Sequence, residues 1–375
     1  MRIGITGYTG FIGTHLAQRI VQSDEFWTCV PIFKSDFADA HSLRSAIAGC
    51  DVIIHLAAVI RHPSESFIYN ENIRIAQLLI HAIHHTSSVS RVIYLSSVKN
   101  CEDSAYGRSK KEIENLLFTC CSSLDIKFQA VVAPNVFGPM SRPGHNSFIA
   151  TFCDAIQKGS DPVVIQDELI PLLYIDDLVS TLKDLVRHGE DTPKVNLHAK
   201  VSMHVSEVKR ILKDFEGVFL QSGEIPAMDN DFRKHLFLTF LSFVDIQRHY
   251  PCRFDIIQTG ESTFAELVRS NSPGQTSYSV IKPGVVRGNH YHTRKFERFI
   301  VLKGSAEIVI RKFNETEIHT FQVQGATPSF IDIPPWHVHS IKNIGTDELI
   351  VIYWINECFN GLDSDTFPLS PLLHD

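Results

Sequence analysis

The feature that most constrains this chain is TGYTGFIG at residues 6–13, set between a β-branched run (RIGIT) and a stretch of helical spacing from Phe11 to Val21. A strand that hands over to a helix through three glycines has few solutions. Gly7 permits the tight turn, Gly10 lets backbone approach a pyrophosphate, and Gly13 lets the helix pack closely on the strand. The helix N-terminus then directs N–H groups and a positive dipole end at the phosphates, with Thr9, Phe11 and Ile12 completing the loop. A glycine triplet alone also marks ordinary turns; the strand–loop–helix placement is what favours the dinucleotide reading. The next residues agree with it. Near-continuous apolar strands (Trp27–Phe33, DVIIHLAA, RVIYLSS, FQAVVAPNVFG) alternate with helical stretches at Ser42–Ala48, Asn72–His85 and Ser109–Cys120. That alternation predicts an α/β fold with a Rossmann-like parallel sheet covered on both faces.

The periodicity changes after about Tyr250. Short runs with period two follow, punctuated by Gly and Pro: TSYSVIKPG, RFIVLKGSAEIVIRKF, TFQVQG, SFIDIPP, ELIVIYWIN. They predict an antiparallel all-β sandwich or barrel. A final helix within Asn230–Tyr250 and a short linker at Pro251 separate the two patterns. The expected domains are therefore 1–246 and 247–375, two being the natural number for 375 residues.

A formal charge of −7, with no polybasic run, argues against a nucleic-acid partner held by counterion release and against a membrane surface. An anionic small substrate is compatible with it, because a few local basic groups or helix N-termini suffice. The eight cysteines are scattered without a C-x-x-C pair, as in a reduced protein. VIIHLAAVI at Val52–Ile60 is too short to span a bilayer, and the first strand starts at Arg2, which leaves no room for a signal peptide. The expectation is a soluble cytoplasmic protein without membrane insertion.

A second constellation follows the strand ending in Ser96 and Ser97. Tyr106 and Lys110 lie four apart and share a helix face. A lysine beside a phenol favours phenolate, so the tyrosine can exchange a proton with a carbonyl or alcohol near neutral pH, and a serine from the strand end can hold the same oxygen. After the second strand, Lys34 suits a ribose 2′-phosphate and Asp36 a ribose hydroxyl, so NADP(H) is favoured through Lys34.

On these residues, 1 to about 245 resembles the extended short-chain dehydrogenase/reductase superfamily. The matching pieces are TGYTGFIG, Asp36-Phe37-Ala38-Asp39, HLAA at His55–Ala58, Asn72, the Ser–Tyr–Lys set, PNVFGP at Pro134–Pro139 and YIDDL at Tyr174–Leu178. The resemblance implies cofactor contacts from Leu56, Ala57, Ala58 and Asn135, in addition to Tyr106 and Lys110, and substrate contacts from Asn72 and Asn135. It also puts Asp36 near the adenine, which leaves Lys34 to the phosphate. The stretch between Ser97 and Tyr106 is short and no Thr-Asp-Glu acid set follows the strand, so a sugar-nucleotide 4,6-dehydratase is disfavoured.

The β segment carries Gly284, His290, His292, Glu297 and Gly304 at the spacing of the first cupin motif. Pro334, Trp336, His339 and Asn343 match the second, with Trp336 where glycine is usual. His290 and His292 are i and i+2 on a strand, so both rings point to one side, and Glu297 can enter from the next strand. Three His and one Glu (His290, His292, Glu297, His339) suit a divalent ion of the Zn, Fe, Mn or Ni group, zinc first. A metal-free cupin using these histidines as acid/base groups is the alternative, and His337 reads as a polar neighbour.

Across its whole length the chain resembles the bifunctional capsular-polysaccharide enzymes of the CapF/WbjC type, through NSFIATFC at Asn146–Cys153, YIDDL, GNHYH and YWINECF. GESTFAE at Gly260–Glu266 departs from it, standing where an arginine–glycine pair is expected. The resemblance implies a UDP-linked 4-keto-6-deoxy amino sugar as substrate and a homodimer. It further implies that the cupin epimerises UDP-2-acetamido-2,6-dideoxy-4-keto-hexose at C3. NADPH-dependent reduction at C4 then gives UDP-2-acetamido-2,6-dideoxy-L-talose, on the way to UDP-N-acetyl-L-fucosamine. Three other readings stay open: a simple ketoreductase with a structural or dimerising cupin, a non-haem iron oxygenase, and a nucleotide sensor without turnover.

Overall fold

In a computed structural model of the chain, residues 1–23, 25–145, 147–189 and 192–373 are described; Asn146 of the NSFIATFC stretch lies outside the described residues. The chain divides into two compact units, the first made of Met1–Phe137, Ser141–Phe148 and Glu168–His204, the second of Gly138–Met140, Ile149–Asp167 and Val205–Asp375. The helical residues 205–246, which the period change assigns to the first domain, make their contacts within the second unit.

The first unit is built on strands β1 (Arg2–Thr6), β2 (Thr28–Ile32), β3 (Val52–His55), β4 (Arg91–Ser97) and β5 (Lys127–Ala133). Helices α1 (Phe11–Val21), α2 (Ala40–Ile47), α3 (Glu65–His84) and α4 (Ala105–Ser123) alternate with them. Short strands β6 (Asn135–Phe137), β7 (Leu169–Tyr174), β8 (Lys194–Asn196) and β9 (Val201–His204) and helix α6 (Ile175–Arg187) complete it, while α5 (Phe148–Gln157) runs from the first unit into the second. The main sheet is parallel with order β2-β1-β3-β4-β5-β8. The order reverses between β1 and β3, which opens a crevice beyond their C-terminal ends, where ligands of such sheets bind. Isoleucines 3, 5, 53 and 54 are fully buried in these strands, and α3 and α4 cover one face with Leu79, Ile83, Ile113 and Leu117. Each such side chain contributes roughly 1.5–3 kcal/mol by leaving water.

Two helices start earlier than their apolar spacing suggests. The Ser64 side chain accepts from Phe67 N and starts α3 at Glu65; Ser104 accepts from Gly107 N and starts α4 at Ala105. In both, a serine caps a first turn that holds few large apolar residues. As a result Tyr106 lies in the first turn of α4, at the rim of the crevice.

In the second unit, α7 (Val205–Phe215), α8 (Asp231–Leu241) and the single turn α9 (Ile246–His249) precede the β structure. Phe215, Phe219, Phe237 and Phe296 meet ring to ring at 5.1–6.3 Å, joining these helices to the β residues. The strands are β10 (Cys252–Arg253), β11 (Ile256–Thr259), β12 (Ser262–Ala265), β13 (Gln275–Ile281), β14 (Val286–Tyr291) and β15 (Glu297–Lys303). They continue with β16 (Ser305–Lys312), β17 (Ile318–Gln324), β18 (Ser329–Ile333), β19 (His337–Asn343), β20 (Leu349–Ile355) and β21 (Phe367–Pro368). Two five-stranded antiparallel sheets result, β10-β18-β15-β20-β13 and β17-β16-β19-β14-β21, and GESTFAE forms the turn and second strand of the separate β11–β12 hairpin. Fully buried Arg298 is held bidentate by Asp332 at 2.7 and 2.9 Å, donates to Gly223 O, and stacks on Phe330. A buried pair in which each guanidinium nitrogen is hydrogen-bonded fixes geometry more than it adds stability.

Candidate active site and metal centre

The crevice beyond β1 and β3 is a cavity of about 530 Å³ lined by the loop Gly7–Gly13, Lys34, Leu56–Ile60, Ser96, Ser97, Tyr106, Lys110 and Asn135. Gly7 has φ +69°, and a Cβ on Gly13 would lie 2.2 Å from Gly7 O, so the loop and α1 touch at backbone distance. Helix α1 starts from Gly10 without a side-chain cap, which leaves its first N–H groups for a ligand in the cavity. The opposite wall is held by Thr6. Its Oγ accepts from Leu56 N and Ala57 N at 3.0 and 3.1 Å, and so donates to His55 Nδ1 at 2.8 Å.

Asp36 and Asn72 are not among the residues that line the cavity. The Asp36 carboxylate accepts from Phe33 N at 2.7 Å and caps the short turn Lys34–Ala38. Buried Asn72 accepts from Val59 N, donates to Val59 O and Ser109 Oγ, and so fixes the loop after β3. Beside Lys34 the cavity gains Glu71 and Arg74, paired at 2.7 and 2.8 Å, with Arg74 also donating to Phe37 O. In sequence those two look like an ordinary i,i+3 surface pair.

Lys110 is buried one turn after Tyr106. Its ammonium donates to Leu95 O at 2.8 Å and lies 4.8 Å from the Tyr94 ring centre and 5.6 Å from that of Tyr106. Burial pulls the amine down to about 7 and pushes the Tyr106 phenol up. In this state Tyr106 is a neutral phenol, the form that can give a proton. The two serines separate clearly. Ser96 Oγ donates to Glu114 at 3.0 Å and accepts from Asn100 at 3.3 Å, so both its roles are taken inside the wall. Ser97 Oγ accepts from Lys99 N and keeps its hydroxyl proton for a group in the cavity. Glu114, which also pairs with Lys194 at 2.8 Å, carries no motif and is found only by the fold.

The second cluster lies in the β unit. Ligand atoms of His290, His292, Glu297 and His339 all lie within 4.8 Å of one another. A bulge brings them together: register shifts between Gly288 and His290, with Asn289 at φ +57°, so that His290 pairs directly with His339. Glu297 arrives from the other sheet, its Oε2 3.5 Å from His292 Nε2 and 3.2 Å from His339 Nε2. His292 Nδ1 donates to Asp365 O and His339 Nδ1 to His337 O. A carbonyl only accepts, so both neutral rings carry their proton on Nδ1 and present an Nε2 lone pair to the shared space. Both Nε2 atoms are buried without a hydrogen-bond partner. Ring nitrogens converging on a carboxylate, each oriented by a backbone acceptor behind it, fit a divalent cation. His290 is pulled down to about 4 by burial and by the two other rings, which keeps it a neutral imidazole with a lone pair to offer.

Trp336 sits where the second motif has glycine, and the reason for glycine is visible: its φ is +63°. Its backbone N–H donates to His292 O at 2.7 Å while the indole packs with Tyr291, Phe313 and Val338. His337, buried with Nδ1 on Pro335 O, is outside the cluster. Asn343 ties the turn before β20 through Ile281 O and Asp347 O.

Comparison with known proteins agrees with both halves. Residues 3–197 match the NAD dependent epimerase/dehydratase family, and residues 259–367 match the polysaccharide biosynthesis C-terminal domain. The chain is 30% identical, over 99% of each chain, to the UDP-2-acetamido-2,6-beta-L-arabino-hexul-4-ose reductase of Pseudomonas aeruginosa. The crystal structure of the capsular polysaccharide assembling protein CapF from Staphylococcus aureus aligns with TM-score 0.61 and 27% identity, covering 99% of this chain and 100% of that one. The UDP-glucose 4-epimerase of Thermotoga maritima shares the fold of the first part, with TM-score 0.54 and 18% identity over 65% of this chain and 98% of its own. Among the described residues no helix is long and apolar enough to cross a membrane.

Proposed function

The chain belongs to the NAD-dependent epimerase/dehydratase family, and on that premise we propose that it is a bifunctional nucleotide-sugar enzyme of capsule-type polysaccharide assembly. Its substrate is a UDP-linked 2-acetamido-2,6-dideoxy-4-keto-hexose. The β unit inverts C3, and the first unit reduces the C4 ketone with NADPH to the L-talo sugar. The observation that carries this reading is one chain holding both a dinucleotide cavity with Ser97, Tyr106 and Lys110 and a converging His290–His292–Glu297–His339 cluster.

The glycine loop and the start of α1 would hold the pyrophosphate of a nicotinamide dinucleotide, which would supply the hydride for C4. Tyr106 gives its phenol proton to the C4 oxygen, Ser97 donates a hydrogen bond to the same oxygen, and Lys110 stabilises the phenolate left behind. Lys34, with the Glu71–Arg74 pair beside it, supports choice of the 2′-phosphorylated cofactor. A divalent ion held by the four-residue cluster, zinc in our reading, would polarise the keto oxygen and make the C3 proton acidic. The chain's own contribution there is to fix the His292 and His339 rings with Nε2 directed inward and to pack apolar side chains such as Phe299 against the cluster. The reduction makes a reversible epimerisation directional.

The test follows the 4-keto sugar by NMR in D₂O. The proposal expects deuterium at C3 before NADPH is added, reduction at C4 afterwards, and loss of exchange in His290→Ala. Reduction with no prior exchange would leave a ketoreductase with a non-catalytic β unit; inertness in both phases would remove the substrate assignment.

A further inference from the structure

Residues 367–369 return to the strand that carries His290. Strand β21 pairs with β14 at His290 and Tyr291, and Leu369 N donates to Asn289 O at 2.9 Å. Arg311 holds Ser370 O and Pro371 O at 3.0 and 2.9 Å, and Lys295 donates to Ser364 O at 2.6 Å. The segment is a strap bound to the β unit mostly through its own backbone.

At its centre is Asp365, only 3% exposed and in the left-handed region at φ +42°. Few residues other than glycine accept that conformation without strain. Here it turns two groups of one residue towards the same partner. The Asp365 carboxylate accepts from three successive backbone N–H groups, Thr293 at 3.0 Å, Arg294 at 3.0 Å and Lys295 at 3.1 Å, and from the Thr293 hydroxyl at 2.6 Å. The Asp365 carbonyl accepts from His292 Nδ1 at 2.5 Å. A carboxylate cradled by consecutive N–H groups locks the turn that follows His292. The carbonyl sets which nitrogen of His292 carries the proton and in which plane the ring lies.

We propose that Asp365 is a positioning residue for the metal centre: through the strap, the end of the chain presents the His292 Nε2 lone pair to the ion shared with His290, Glu297 and His339. This rests on the metal reading of that cluster. Without the carboxylate, three backbone donors lose their acceptor, the turn loosens, and the His292 ring is no longer held in its ligating orientation.

The experiment uses the full chain stripped of metal and titrated with Zn²⁺ against a chromophoric chelator, reading the first equivalent bound. Asp365→Asn should weaken Zn²⁺ by about 10–100-fold, the range found when a group that orients a metal ligand is removed. Thr293→Val, which removes one of the four bonds to the carboxylate, should give a smaller loss of a few-fold and serves if Asp365→Asn does not fold. Asp363→Ala lies on the same strap but removes only a carboxylate that pairs with the Arg294 guanidinium and makes no contact with His292 or the backbone N–H groups after it, and should bind Zn²⁺ as wild type does. Coupling is reciprocal, so Zn²⁺ should also slow proteolysis of residues 357–373 in wild type and less so in Asp365→Asn. Equal Zn²⁺ affinity in wild type and both Asp365→Asn and Thr293→Val overturns the proposal. Equal weakening by Asp363→Ala overturns it too, reducing the effect to a loosened tail. A wild type that does not bind Zn²⁺ overturns this proposal and the metal reading together.

Discussion

Replacing Lys110 by methionine should make the protein more stable while removing its reductase activity. The ammonium is buried, and its pKa of about 7 reflects the loss of water around the charged form. Against an ordinary lysine near 10.4, charging this amine inside the fold costs roughly 4–5 kcal/mol more than in the open chain. The lost bond to Leu95 O and the lost contacts with Tyr94 and Tyr106 offset about half of the gain from substitution. A net gain of about 2 kcal/mol remains, which raises the melting temperature by about 4–8 °C for a unit of this size. The pH dependence is the sharper signature. Between the folded value near 7 and the unfolded value near 10.4, the unfolded chain binds the extra proton, so wild-type stability rises with pH across that window. The advantage of Lys110→Met is therefore largest at pH 7 and below, and should shrink by roughly 2 kcal/mol by pH 9. Urea unfolding of the cofactor-free proteins at pH 6.5 and pH 9 measures both numbers, with NADPH oxidation on the keto sugar run alongside. A variant less stable than wild type at pH 6.5, or an advantage unchanged at pH 9, would refute the reasoning that this lysine is a stability cost retained for chemistry.

The two serines should respond in opposite ways. Ser96→Ala breaks the link to Glu114 and Asn100, costs about 1–2 kcal/mol of stability and leaves kcat within about two-fold, whereas Ser97→Ala lowers kcat about 100-fold at near wild-type stability; the reverse pattern in unfolding and steady-state assays would exchange their roles. Gly13→Ala sets a methyl 2.2 Å from Gly7 O, which forces α1 off its strand, costs about 1–3 kcal/mol and weakens NADPH at least ten-fold; unaltered cofactor fluorescence titration would show that this contact does not shape the phosphate site.

What sequence spacing reveals is chemistry that must be local. The glycine loop, Tyr106 with Lys110 and the pair His290–His292, whose second member falls one residue past β14, each depend on a short fixed offset along the chain, so they can be read off it. Residues brought by tertiary proximity leave no such trace. Glu114 reaches Ser96 from 18 positions away, and Asp365 reaches His292 from 73. Arg74 and Glu71 form a pair of a kind found on many helix surfaces, and only the cavity beside them gives the pair a role. The helix starts illustrate a different limit. First turns of mixed character show no clear apolar period, so α3 and α4 look shorter than they are, although Ser64 and Ser104 are the caps that would have extended them. Trp336 shows that a motif position can be kept as a backbone conformation while its residue changes.

The alternation of the chain between its two units bears on how the protein is made. A ribosome releases residues 149–167 before 168–204, yet the former belong to the second unit and the latter to the first. The first unit has all its residues only once His204 has emerged, while a helix of the second has been waiting for partners that begin at Val205. The two activities proposed here are thus woven into one translation product, so a gene cut at the change in sequence period would separate neither cleanly. Exchange of either half between organisms by recombination would demand matched crossovers on both sides of residues 149–167, which favours inheritance of the pair as one gene.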